Sequence, residues 1–184
     1  MKQKILIFIT LLTIGLAGCG KIENEQQPTS SQDKVDFPDQ ESWNSTITIT
    51  RDANRMAEVW AGYMALYNTK NMVVLKDSIH VDFFDKNGQH NSVLTADSGV
   101  VYNQTNNLIA TGHVVVVSDS GIVLRTRELR WDNQRQKIIS DTQVRFTTKE
   151  DTLIGDSFVS DPDLKNYEIR NAHGYSGRKI PLEK

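Results

Sequence analysis

Cysteine is almost absent from this chain. Its 184 residues include one, Cys19, so no intramolecular disulfide and no cysteine-based metal cluster can be built. No apolar run reaches the roughly 20 residues that a membrane-spanning helix needs. The longest, Ile5 to Leu16, is short and interrupted by Thr10, Thr13 and Gly15. Excess positive charge is also missing. Residues 1–18 carry Lys2 and Lys4, so without them the 21 basic side chains become 19 against 23 acidic ones, a formal net charge of −4. A nucleic-acid binder normally shows a basic patch or stripe, so no nucleic-acid partner is expected. His80, His90, His113 and His173 lack metal-ligand spacing, and no Gly-rich phosphate loop or nucleophile motif occurs. Neither metal nor cofactor is expected. Asp97, Asp141, Asp156 and Asp161 offer carboxylates of the kind a glycosidase pairs. At turns and strand ends, however, carboxylates are ordinary solvating groups, and no enzyme is expected.

What is present begins with a short basic stretch, an apolar stretch and the small residues Leu16-Ala17-Gly18 before Cys19. That order describes a secretory signal over residues 1–18. The tetrad Leu16-Ala17-Gly18-Cys19 resembles a bacterial lipobox, in which the chain is cut before Cys19 and the cysteine is lipidated. The competing reading is an ordinary signal with a chance cysteine, or a short uncleaved anchor. From Gly20 to Ser42 the chain is rich in Gln, Ser, Asp and Glu and contains Pro28 and Pro38. Such a segment buries too little apolar surface to fold, so residues 19–42 are expected to form a flexible tether.

The body, residues 43–177, is self-similar. Val59-Trp60-Ala61 aligns with Leu94-Thr95-Ala96 at a shift of 35, and Leu66-Tyr67-Asn68 with Val101-Tyr102-Asn103. A further shift of 30 sets Leu124-Arg125-Thr126 on Leu94-Thr95-Ala96, and another 30 brings Ile154 onto Leu124. About four degenerate copies of a two-strand unit result. Strict alternation, as in Leu124, Thr126, Leu129 and Trp131 against Arg125, Arg127, Arg130 and Asp132, marks half-buried strands. One register slip near Glu128 indicates a β-bulge. Polar turns such as Asn68–Asn71, Asn103–Asn106 and Asp132–Arg135 punctuate the units. Residues 51–67 can be argued as a helix, but their match to the next unit favours strand. The expected class is all-β, a chain of hairpins folding into two facing apolar sheets. Tight closure would make the interior a core, and splaying would make it a groove for acyl chains; alternation serves both.

A particular combination carries a family resemblance. It comprises the N-terminal anchor, Ile79-His80-Val81-Asp82-Phe83-Phe84-Asp85, Leu94-Thr95-Ala96-Asp97-Ser98-Gly99 and Ala110-Thr111-Gly112-His113-Val114-Val115-Val116. It continues with Leu124-Arg125-Thr126-Arg127-Glu128-Leu129-Arg130-Trp131-Asp132, Ile139-Ser140-Asp141 and Gly155-Asp156-Ser157-Phe158-Val159-Ser160-Asp161-Pro162-Asp163-Leu164. This resembles the membrane-anchored periplasmic component C family of the lipopolysaccharide export transporter, which shares the fold of the organic-solvent-tolerance proteins. The resemblance spans roughly residues 43–177 and is a diffuse pattern without a catalytic signature. It implies a twisted, open β-jellyroll that is one segment of a bridge across the periplasm of a Gram-negative-type bacterium. Lipopolysaccharide would arrive from an inner-membrane ABC transporter and pass to a soluble periplasmic bridge protein of the same fold. Jellyrolls of the family join edge to edge, N-terminal edge toward the transporter. Familiar members keep an uncleaved transmembrane helix, so the lipobox departs from the pattern and leaves the anchoring membrane open, with the inner one favoured.

Candidate residues follow. Leu66, Val81, Phe83, Val101, Val114, Val116, Leu129, Trp131, Val144 and Phe146 are expected to point inward, as lipid-contacting positions or as plain core. Arg125, Arg127 and Arg130 either meet the phosphates of lipid A or form a solvated strand face. Tyr167, Ile169, Gly174 and Tyr175 are candidates for the C-terminal partner edge, the alternative being an ordinary last strand before a tail at 178–184. A different function also fits, that of a structural or assembly envelope lipoprotein acting only through protein contacts.

Overall fold

The structure, a computed structural model, describes residues 37–177. The proposed signal, Cys19, nearly all of the tether and the tail at 178–184 lie outside the described residues. Thirteen strands pair antiparallel in one continuous sheet. They are β1 (Gln40–Arg51), β2 (Asn54–Tyr67), β3 (Met72–Phe84), β4 (His90–Ala96), β5 (Ser98–Tyr102) and β6 (Asn107–Ser118). Then come β7 (Val123–Asp132), β8 (Lys137–Ser140), β9 (Val144–Thr147), β10 (Asp151–Gly155), β11 (Ser157–Ser160), β12 (Tyr167–Arg170) and β13 (His173–Ser176). Residues 54–67 are strand, as the repeat required, and β1 begins at Gln40, a little before Trp43.

The pairing pattern explains the repeat. Successive hairpins lie alternately on two walls. The first wall holds the N-terminal half of β2, the C-terminal half of β3, β4, the C-terminal half of β6, the N-terminal half of β7, β9, β10 and β13. The second holds the other halves of β2, β3, β6 and β7 together with β5, β8, β11 and β12. β1 runs the length of β2 and so edges both walls. One repeat unit is thus a hairpin on one wall followed by a hairpin on the other.

The chain crosses between walls at a line of corners. Register shifts fall between Ala61 and Tyr63 and between Thr111 and Val114, the second opposite Arg127, which is the slip read near Glu128. Asp77, Ser78, Gly112, His113 and Asn171 hold positive φ there. Neighbouring corners bond to one another, Ser78 N to Asp97 O at 3.3 Å and Asp97 N to Gly112 O at 3.0 Å. The rim turns of the second wall repeat as strictly, with Asn71, Asn106 and Gln136 each closing its turn at φ near +50° (51°, 55° and 54°). Asn tolerates this left-handed region because its short side chain bonds locally.

Gly112 has φ +77°, and a Cβ there would overlap the side chain of Asp97, whereas Gly88, at φ +76°, faces open space. A non-glycine residue in such a conformation costs on the order of 1–3 kcal/mol. Gly88→Ala is therefore expected to lose only that conformational part in urea denaturation, and Gly112→Ala distinctly more. Equal losses would remove the corner packing from the account.

Candidate functional site

The two walls face each other with their apolar sides. Cross-strand pairing places one residue per strand in an unbroken row along the first wall, running Ile47, Val59, Val81, Leu94, Val116, Leu124, Phe146 and Leu153. Along the second wall the matching row runs Leu66, Val73, Val101, Leu108, Trp131 and Ile138, then Ser160 and Tyr167. Both rows lie across the strands, so they lead from the β1 edge toward the β12 and β13 edges. The walls meet through Phe83 edge-on to Trp131 at 5.2 Å, Phe146 against Phe158 at 5.4 Å and Phe146 against Tyr167 at 4.2 Å between ring centroids. At the rims Arg51 Nη2 donates to Gln134 O at 2.9 Å.

Nine of the ten inward candidates are buried, from Phe83, Val116, Trp131 and Phe146 at 0% exposure to Val101 at 2%. Leu66 is half-buried near the β1 edge, packed against the same core. Sequence reasoning passed over Leu75, Leu94, Leu108, Leu124, Ile138 and Phe158, equally buried on the same surfaces. The same alternation marks them, and Leu94 and Leu124 anchored the repeat. The interior between the walls is packed, so of the two sequence-level alternatives the described structure is the closed one.

Three features break the apolar monotony. Trp131 Nε1, Ser92 Oγ and Ser160 Oγ are buried with no hydrogen-bond partner among the described residues. A buried unpaired donor costs about 1–3 kcal/mol and is uncommon in native interiors. At the β1 end a depression of about 330 Å³ is lined by Gln40, Ser42, Ile47, Met64, Leu66 and Val73, the first members of both walls. It opens onto the start of the rows.

The sheet has open edges at both ends. Among the described residues β1 bonds only to β2, β12 only to β11 and β13 only to β10. At the β1 edge Trp43 is 62% exposed and stands edge-on to Tyr63 at 5.7 Å. The Tyr63 hydroxyl donates to Glu41, and that bond, more than any other cause, lifts the phenol to about 12. At the far edge Tyr175 is 70% exposed on β13. Gly174, beside it, pairs Leu153, and any side chain there would strike the Thr152 carbonyl. Tyr167 and Ile169 belong to β12: Tyr167 is 40% exposed while its ring rests on Phe146, and Ile169, opposite Phe158, is half-buried against the core. The four edge candidates thus divide between two short strands on different walls.

The remaining sequence candidates are exposed or structural. Arg125, Arg127 and Arg130 stand on the outside, and Arg130 pairs with Asp141 at 3.6 Å. His80 and His90 both approach Asp82 at 3.3 Å, His90 also contacts Asp119 at 2.8 Å, and His113 contacts Asp97 at 2.7 Å. No group of three or more His, Cys, Asp or Glu side chains among the described residues is arranged to hold a metal. Asp156 accepts from Asn171 at 2.8 Å across a corner.

Residues 5–168 match the model of a family described as lipopolysaccharide-assembly, LptC-related. The chain belongs to this family. It is accordingly a non-enzymatic, periplasmic component of lipopolysaccharide transport that binds lipopolysaccharide and partners other proteins of that system. No curated protein matches the chain. Among solved structures it is similar to LptH of Pseudomonas aeruginosa, the LptA-homologous periplasmic component of the lipopolysaccharide transport device. The TM-score is 0.50 at 12% identity, covering 61% of this chain and 80% of that one. At that identity the likeness is one of fold, and it supports the β-jellyroll reading. No helix among the described residues is long and apolar enough to cross a membrane.

One contact ties the C-terminal hairpin down. Asp161 accepts from Lys137 Nζ at 2.6 Å and Asn166 Nδ2 at 2.8 Å. Burial pushes its carboxyl up, but these bonds and the Lys137 charge outweigh burial and leave it below the ordinary 3.8. A depressed carboxylate contributes stability above its unfolded value and loses it as pH falls through the folded one. The amide protection factors of β12, taken relative to intrinsic exchange at each pH, are therefore expected to fall on acidification below about pH 4, and Asp161→Asn should flatten this response. An unchanged response in the variant would assign it to other groups.

Proposed function

We propose that the two apolar rows are the lane along which the acyl chains of lipopolysaccharide move through this protein. The observation that carries the reading is continuity. Inward side chains are apolar on nearly every strand from β1 to the far edge, a longer layer than one hairpin needs for its own stability. Parting the walls in water would expose that layer. An acyl chain entering as they part restores the lost burial, worth about 0.8 kcal/mol per CH₂. The unpartnered Trp131 Nε1 and Ser160 Oγ would find acceptors in the ester and amide carbonyls of such a lipid. Leu66, Val81, Phe83, Val101, Val114, Val116, Leu129, Trp131, Val144 and Phe146 are the proposed contacts.

In this reading the β1 edge receives lipopolysaccharide from the inner-membrane ABC transporter, with the depression beside Leu66 as entrance. Tyr167 and Ile169 on β12, with Gly174 and Tyr175 on β13, mark the edge that passes it to the soluble periplasmic jellyroll protein. Unpaired strand edges recruit such neighbours by backbone hydrogen bonding. Residues 1–18 act as a lipoprotein signal and residues 19–42 as a tether from lipidated Cys19, held in the inner membrane. The folded body is the jellyroll of 43–177, with β1 starting slightly earlier, and 178–184 is a tail. The second reading, a structural lipoprotein working only through its edges, draws on the complete packing of the interior.

Adjacent positions on one strand separate the readings, because Val116 is 0% exposed inside and Val117 is 42% exposed outside. A photo-crosslinking side chain at Val116 or Phe146, in cells making lipopolysaccharide, is expected to give an ATP-dependent lipopolysaccharide adduct, and one at Val117 none. Adducts at neither inward site, with the protein folded and abundant, would leave the edges as the only functional surface. The anchor has its own test: the protein is expected to incorporate labelled palmitate in cells, and Cys19→Ser to lose the label. Absence of label in the unmodified protein, or equal label in the variant, would refute lipidation at Cys19 as the anchor.

A further inference from the structure

The outer face of the first wall carries a feature that the lipid lane does not use. Arg125 and Arg145 are directly opposite each other on β7 and β9. Like charges directly opposed across an antiparallel pair are destabilising, yet no carboxylate relieves them. Their outer-row neighbours are Val115 and Ile154. Arg127, at the β6–β7 register slip, joins them because a bulge re-aims its side chain. The three arginines share a depression of about 540 Å³ with Thr126 and Thr142, whose hydroxyls are 2.8 Å apart. All three arginines are exposed, and none makes an ion pair within the described residues, whereas nearby Arg130 is matched by Asp141 and nearby Asp156 is bonded by Asn171.

We infer that Arg125, Arg127 and Arg145, with the hydroxyl of Thr142, form a binding site for a phosphate group. Guanidinium is permanently charged and presents a fork of N–H donors matched to phosphate oxygens, and the Thr142 hydroxyl adds one neutral donor while Thr126, whose proton goes to the Gln143 carbonyl at 3.1 Å, holds it in place. A phosphate seated there neutralises the Arg125–Arg145 repulsion, which a neutral ligand cannot do. A chain of net negative charge that keeps three cations together without an acid has placed an anion-shaped gap at a defined spot. The site lies on the opposite side of the wall from Leu124 and Phe146, so it stands or falls independently of the lane. The phosphate belongs either to a lipid headgroup or to a free phosphate; in both cases the recognised chemistry is the same.

The test is calorimetric titration of the full chain in neutral detergent with two probes at constant ionic strength. Inorganic phosphate represents the free anion, and glycerophosphoglycerol represents a phosphodiester headgroup without its acyl chains. At least one is expected to bind the unmodified protein and to weaken by roughly tenfold or more in Arg125→Gln/Arg145→Gln. Binding of inorganic phosphate alone assigns a free or terminal phosphate, and binding of the diester assigns a headgroup. The double variant should melt at or above the unmodified protein in phosphate-free buffer, since it loses a repulsion, which shows that lost binding is not lost folding. Absence of binding by both probes, or equal affinity in the double variant, overturns the site.

Discussion

A β-sheet has two faces, and a sheet of this length in water must cover one of them. This chain covers it with itself. Contact between the two apolar walls, seen most directly where Phe83 meets Trp131 and where Phe146 meets Phe158, is the interaction on which the rest depends. Without it the inner rows would be solvent-exposed from one edge to the other, an apolar surface no soluble protein sustains. The corners at Asp77-Ser78, Gly112-His113 and Asn171 exist to make the contact possible. They bend each long strand so that consecutive hairpins land on opposite walls, and their mutual hydrogen bonds keep the bends aligned.

The same architecture sets what the protein can do in lipopolysaccharide transport. Burial that is apolar on both sides is interchangeable with burial against an acyl chain, so a packed interior and a lipid-filled one differ little in the surface they hide from water. Open edges are the other consequence. A sheet folded on itself closes along its corners but not at its first and last strands, which among the described residues are β1, β12 and β13. Side chains and backbone are thus separated in the fold: apolar side chains fill the space between the walls, and strand backbones form the two ends of the sheet.

Much of this was legible from residues alone, for identifiable reasons. Alternation assigned Val81, Val116, Leu129 and Phe146 to the inside because period two leaves a strand residue only two directions to point. The repeat exposed the hairpin order, since each unit needs the same turn chemistry at the same spacing. Asn71 and Asn106 recur because the same left-handed turn recurs. The edge residues were harder. Tyr167 and Ile169 lie on the last strand of the second wall, yet Tyr167, 40% exposed, also rests on Phe146 and Ile169 packs against the core, contacts set by strands distant in sequence. The arginines also needed pairing information. Alternation puts Arg125 and Arg127 on a polar strand face, but Arg145 lies 20 positions beyond Arg125 in sequence, and only the β7–β9 register sets it opposite.

By itself, then, the sequence determined the all-β class, the repeated hairpins and the side of each strand that is apolar, because these follow from local periodicity and turn preference. Its single cysteine also excludes an intramolecular disulfide. Only the tertiary structure decided that the walls close onto a packed interior, that Trp131 keeps an unpartnered N–H there, and that three arginines converge outside. Those outcomes depend on which strands meet and how far the sheet bends. Alternation is identical for an open groove and a closed core, so the choice rests on contacts between residues far apart in the chain.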